Sequence, residues 1–160
     1  MNKDDRELLL KDLCARLPYG VKVKVTATLE NLHPGDEVTL LGCTPMGEYP
    51  MFYTYRGNLL LGEFKPYLRP MSSMTEEEIE EYRNLSDEVI GSYGPYHHEF
   101  IAHCVRLGIK PDNPHECVDD FLNMGAIDFL NAHHFDYRSL IKRNEKGLAL
   151  EAPKDMYKED

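Results

Sequence analysis

No stretch of the 160-residue chain approaches the roughly 18 consecutive apolar residues of a membrane-spanning helix, so that reading is excluded from the outset. Basic charge is scarce as well. Lys and Arg number 18 against 28 Asp and Glu, a formal net charge of -10. A surface this acidic repels phosphate backbones, which disfavours general nucleic-acid binding. The four cysteines, Cys14, Cys43, Cys104 and Cys117, lack the paired spacing of a zinc site or a disulfide framework. At the start, Met1-Asn2-Lys3-Asp4-Asp5-Arg6-Glu7 has acids where a signal peptide would have a basic region and an apolar run. The expectation is a cytoplasmic protein with reduced thiols. No catalytic fingerprint, internal repeat or low-complexity tract is visible, and nothing calls for a cofactor.

What the chain does have is a division of charge. Residues 1–74 carry nine Lys/Arg against nine Asp/Glu, whereas residues 75–160 carry nine against nineteen. The neutral half reads as strands and the acidic half as helices. A hydrophobic content of 42% is ordinary for a soluble globular chain, and this length accommodates one sizeable core or a small domain with a helical annex.

The first expected element is a helix over residues 4–17, capped by Asp4 or Asp5 and burying a stripe of Leu9, Leu13 and Leu17, with Leu10 and Cys14 beside it. Pro18-Tyr19-Gly20 stops it. From Val21 to Glu30, apolar Val21, Val23, Val25, Ala27 and Leu29 alternate with polar residues, which predicts a strand with one dry face. His33 to Asp36 is a turn, Glu37 to Cys43 a second strand, and Met51 to Tyr55 with Leu59 to Leu61 a hairpin around Arg56-Gly57-Asn58. Lys65 to Pro70, with two prolines, reads as a connector. Thr75 and Glu78 form a capping box for a helix over residues 76–90, whose narrow stripe is Ile79, Tyr82, Leu85 and Val89 or Ile90. Helices are expected over 98–107 and 115–134, then a short strand at Leu148 to Leu150 and a loose tail from Ala152. The fold class is therefore α+β: an N-terminal helix on a small antiparallel sheet or SH3-like barrel over 1–70, followed by an acidic helical part over 71–160.

Two stretches are more specific than their periodicity explains. One is Lys65-Pro66-Tyr67-Leu68-Arg69-Pro70-Met71-Ser72-Ser73-Met74-Thr75-Glu76-Glu77-Glu78. The other is Ile127-Asp128-Phe129-Leu130-Asn131-Ala132-His133-His134-Phe135-Asp136-Tyr137-Arg138, with Gly147 to Ala152 after it. Together they resemble a group of small proteins carried by prophages and mobile elements of gut Bacteroidetes bacteria. The resemblance covers the middle and the C-terminal third, more weakly Leu17 to Val25, and it marks residues 83–124 as extra or variable sequence. It implies a provenance and no activity, so no catalytic residue is carried over.

Several side-chain sets invite a chemical reading, each beside a plainer one. Glu99 and His103, four apart on an expected helix, with His97, His115 and Cys117 nearby, could share a metal ion. An i, i+4 Glu–His pair is equally a surface interaction, and adjacent His-His and His-Cys pairs diverge on a helix. His133 to Arg138 offers an imidazole, a carboxylate, a phenol and a guanidinium as an acid–base set, but it reads more simply as a helix end. Ser72 and Ser73 precede a helix N-terminus, where capping suits the glutamate-rich surroundings better than an anion. Finally, Tyr53, Tyr55, Arg56, Lys65, Tyr67 and Arg69 concentrate tyrosine and cations in the sheet half, the composition of a protein-binding face. Core packing or base stacking would use the same residues. The leading expectation is a phage or mobile-element accessory protein that binds another protein. A metal-dependent enzyme using Glu99 and His103 and an acidic mimic of DNA are the alternatives.

Overall fold

Asn2 opens the first helix, its side chain accepting a hydrogen bond from the Asp5 N–H at 2.7 Å. The cap thus lies ahead of the expected Asp4 or Asp5. Asp5 is buried instead, and its carboxylate accepts from Arg143 and Asn144 at 2.8 and 3.1 Å. The computed structural model describes residues 1–44, 50–90 and 124–157. Helix α1, Lys3–Arg16, runs into a 3-10 turn at Leu17–Tyr19, and Gly20 ends it with a left-handed φ of 71°.

The chain is α+β, divided into two units: Met1–Leu68 with Arg138–Asp160, and Arg69–Tyr137. The C-terminal part, expected with the second unit, returns to the first, because Leu140, Leu148 and Ala149 are buried in the first unit's core.

In the first unit, strands β1 (Lys22–Val25), β2 (Glu37–Thr39), β3 (Gly42–Thr44), β4 (Met51–Thr54), β5 (Gly57–Leu60), β6 (Phe64–Leu68) and β7 (Leu150–Glu151) form two sheets and no closed barrel. The first has the order β2-β1-β6-β7, antiparallel except for the parallel β6–β7 pair. The second is the antiparallel meander β3-β4-β5. The strand expected over ten residues from Val21 keeps its ladder only to Val25. Beyond it Thr26 N–H donates to Glu63 C=O and Leu29 N–H to Leu32 C=O, so the backbone turns while burial still alternates through Leu29. The hairpin turn is also tighter than expected. Thr54 pairs with Gly57 around Tyr55-Arg56, and the Thr54 hydroxyl accepts from the N–H groups of Arg56 and Gly57. Leu9 and Leu13 of α1 pack with Val21, Val23, Val25, Phe52, Leu59, Phe64 and Leu68, and Phe52 meets Phe64 edge to face at 5.4 Å.

The segment expected to be loose is tied down at Met156 and Tyr157. The Tyr157 hydroxyl donates to Tyr67 C=O at 2.8 Å and accepts from Lys22 N–H at 3.0 Å, while Lys22 Nζ donates to Met156 C=O at 2.8 Å.

The second unit contains a 3-10 turn at Met71–Ser73, helix α2 (Glu76–Ile90) and helix α3 (Met124–Ala132). Its core is Met71, Met74, Ile79, Tyr82, Ala126, Phe129, Leu130 and Phe135. The capping box forms as the sequence implies: Glu78 N–H donates to Thr75 Oγ1 at 3.2 Å, and Thr75 N–H to Glu78 Oε2 at 2.8 Å. The helix expected over 98–107 and the first part of the one over 115–134 lie outside the described residues.

Candidate functional site

Arg69 to Glu78 of the first sequence motif and Ile127 to Tyr137 of the second meet in the second unit. Arg69 and Phe135 form a parallel bridge, in which Arg69 N–H donates to His134 C=O and Asp136 N–H to Arg69 C=O, each at 2.8 Å. Pro70 then turns the chain, and the Thr75 cap starts α2, placing Glu78 one turn in. The Arg69 guanidinium meets Glu78 with two hydrogen bonds of 2.7 and 2.9 Å, and its carbon lies 4.2 Å from the centre of the buried Phe135 ring. His133, just past α3, brings Nδ1 to 3.4 Å from Glu78 Oε1, and its ring lies tilted against Phe129 at 4.3 Å. His134 closes the helix with a positive φ of 57°, the left-handed end that a C-terminal cap requires.

The electrostatics follow from these contacts. Burial pushes the Glu78 carboxyl up, but the Arg69 hydrogen bonds, the Thr75 N–H, the Arg69 charge and the nearby His133 outweigh it and hold the group below its ordinary value. A carboxylate this well supplied with donors is a weak proton acceptor near neutrality, so the set fits an ion-paired clamp better than an acid–base pair. Of the His133 to Arg138 cluster, Phe135 is core and Arg138 belongs to the first unit, where its Nε stands 3.8 Å from Asp12 Oδ1.

The six residues expected to make one binding face fall on two sheets of the first unit and in the second unit. Tyr53, Tyr55 and Arg56 belong to the β3-β4-β5 meander and its hairpin turn. Tyr53 is half-buried and donates its hydroxyl to Thr44 at 2.7 Å, Tyr55 is 90% exposed, and Arg56 pairs with Asp36 at 2.9 Å. Lys65 lies on the other sheet and donates to Lys146 C=O. Tyr67 is buried there with its hydroxyl on Glu37 at 2.8 Å, and burial followed by that hydrogen bond pushes its phenol up to about 12. Arg69 is in the second unit. Cover on both faces of β6 explains the burial of Tyr67: Pro66, Tyr67 and Leu68 are successive and all buried, and β6 is an interior strand.

Two exposed residues escaped the sequence reading. Leu41, just before β3, is 46% exposed and Leu60, at the end of β5, is 37% exposed. With Tyr55 they are three of the four exposed large apolar side chains among the described residues, and all three sit on the one meander, the fourth being Met1. The antiparallel register puts Thr44, Met51 and Leu60 in one row across the sheet and Gly42, Tyr53 and Asn58 in the next, on the same face. Cys43, Phe52 and Leu59 occupy the opposite, inward face. An exposed leucine at a strand end carries no periodic signal, so only the sheet register reveals it.

Among the described residues no group of three His, Cys, Asp or Glu could hold a metal ion, and no helix is long and apolar enough to cross a membrane. Glu99, His103, His115 and Cys117 lie outside the described residues. Comparison with protein-family models, with curated proteins and with solved structures finds no match to this chain.

Proposed function

We propose that this chain is a non-enzymatic protein-binding module, an accessory protein of a phage or mobile element, and that the β3-β4-β5 meander is its contact surface. The observation that carries this reading is the gathering of Leu41, Tyr55 and Leu60 on one small sheet, with Met51 and Tyr53 half-buried on its outward face. Single exposed apolar residues are ordinary, whereas several on one strand set favour a partner surface. Tyrosine supplies a large contact area with few torsions to freeze, and Arg56 and Asp36 provide a charged rim beside it. Relative to the six-residue face expected from sequence, the surface keeps Tyr53, Tyr55 and Arg56, gains Leu41 and Leu60, and loses Lys65, Tyr67 and Arg69.

The test is capture of a partner from lysate of the bacterial host, identification of the captured protein, and titration of that purified protein against wild type and the Tyr55→Ala/Leu60→Ser chain. Binding at least about tenfold weaker in the variant, with unchanged circular dichroism, supports the surface. Equal affinity removes it.

A second reading rests on the exposed Glu76, Glu77, Glu80 and Glu81 of α2, a block of negative charge that would dock on a basic protein as a mimic of DNA. Such binding would weaken steeply between low and physiological salt, unlike contact through the meander. The metal-dependent alternative falls on residues outside those described, and metal analysis of the purified chain tests it directly.

A further inference from the structure

We propose that Cys14 and Cys43 form a reversible disulfide site, a two-electron modification joining α1 to β3 within the first unit. Their Sγ atoms stand 3.8 Å apart although the residues are 29 positions apart in sequence. Each is held by its own element. Cys14 rides on a helix anchored by buried Leu9 and Leu13, and Cys43 is paired with Phe52 on the inward face of the meander, at the margin of the core. The approach therefore follows from packing of helix and sheet and does not depend on the sulfur contact. A disulfide has an S–S distance of about 2.05 Å, so small side-chain rotations at two well-anchored positions close the gap. Cys14 is exposed and Cys43 half-buried, which leaves a small oxidant an approach from the Cys14 side. This site is independent of the apolar contact surface proposed above.

The chemistry needs an oxidant, and a low-molecular-weight disulfide supplies it. A thiolate of the pair attacks one sulfur of the small disulfide and releases one small thiol, leaving a mixed disulfide. The second cysteine, as thiolate, then attacks the protein sulfur of that mixed disulfide and releases the other small thiol. Two protein thiols are oxidised, one small disulfide is reduced to two thiols, and the two protons leave with those thiols. Burial pushes the Cys14 thiol up to about 11, with the Cys43 thiol adding to the rise, so thiolate is rare at neutral pH and exchange is slow there. In a reducing compartment the pair rests as thiols and closes when the small disulfide accumulates, as transient cytosolic disulfides do.

The experiment incubates the reduced full chain with excess glutathione disulfide at mildly alkaline pH, quenches with acid, and maps unreduced peptides by mass spectrometry. The same treatment in concentrated urea is the reference. The expected result for the folded protein is one Cys14–Cys43 cross-link, reversed by dithiothreitol, with a mixture of pairings in urea. A chain carrying Cys104→Ser and Cys117→Ser should give the same cross-link at the same rate. The proposal is overturned if the folded chain holds glutathione on Cys14 or Cys43 without joining them, if both thiols stay unmodified, or if folded and urea-treated chains give the same mixture.

Discussion

Asp12 and Arg16 stand one helical turn apart on α1 with no solvent exposure of either side chain, joined by hydrogen bonds of 2.7 and 2.9 Å. Arg138 approaches the same carboxylate at 3.8 Å, so two guanidinium groups reach one anion inside the first unit. Removing that anion takes two hydrogen bonds and a counter-charge from the buried Arg16 guanidinium. Asp12→Ala is expected to cost about 3–5 kcal/mol in urea unfolding, and Asp12→Leu combined with Arg16→Met much less, because the pair leaves together. Glu78 belongs to this scale too. Its folded-state value lies below the ordinary 4.5, so its ionised form adds stability that is present above about pH 4.5 and lost as pH falls through the lowered value. Stability measured against pH should show wild type exceeding Glu78→Gln by about 2 kcal/mol at neutral pH, the gap closing on acidification. A pH-independent gap would mean that the carboxylate's charge is not what matters. At Cys14, with its thiol pushed up to about 11, alkylation at pH 8 should run roughly ten- to a hundredfold slower than for a small-molecule thiol, and faster in Cys43→Ala.

At the scale of elements, amphipathic patterns were legible and hydrogen-bonding partners were not. Helix α1 and the α2 capping box follow from leucine spacing and from Thr75 with Glu78, both local properties. The alternation from Val21 correctly assigns Val21, Val23 and Val25 to the interior, yet the ladder stops at Val25, opposite the first residue of β6. Strand length depends on how far the neighbouring strand runs, and no residue of β1 carries that information. The meander shows the same limit. Its strands are readable from Met51 onward, whereas the exposure of Leu60 depends on register. Phe52 faces inward against Phe64, so Phe52→Ala is expected to cost about 3–5 kcal/mol by denaturant unfolding. Tyr55→Ala, at a 90% exposed position, should change stability by less than about 0.5 kcal/mol.

At the scale of the whole molecule, the first unit is built from both ends of the chain. Strand β7 lies parallel to β6, Ala152 N–H donates to Leu68 C=O at 2.8 Å, and Arg143 and Asn144 engage Asp5 at the start of α1. Ending the chain after Tyr137 removes Leu140, Leu148 and Ala149 from the core as well as these bonds. That truncation should abolish the cooperative thermal transition of this unit, whereas Tyr157→Phe, which removes only one hydroxyl, should cost about 1–2 kcal/mol. Retention of the full transition after truncation would show that the C-terminal segment is dispensable.

Composition, hydrophobic period and turn residues by themselves determined the α+β class and the uneven spread of charge along the chain. These are properties of segments a few residues long, set by side-chain polarity and backbone preference. Only the tertiary structure decided that the C-terminal segment returns to the first unit, that Tyr67 is buried while Tyr55 is bare, and that Cys14 meets Cys43. Each of those outcomes is a contact across tens of residues, fixed when apolar faces from distant segments pack into one core.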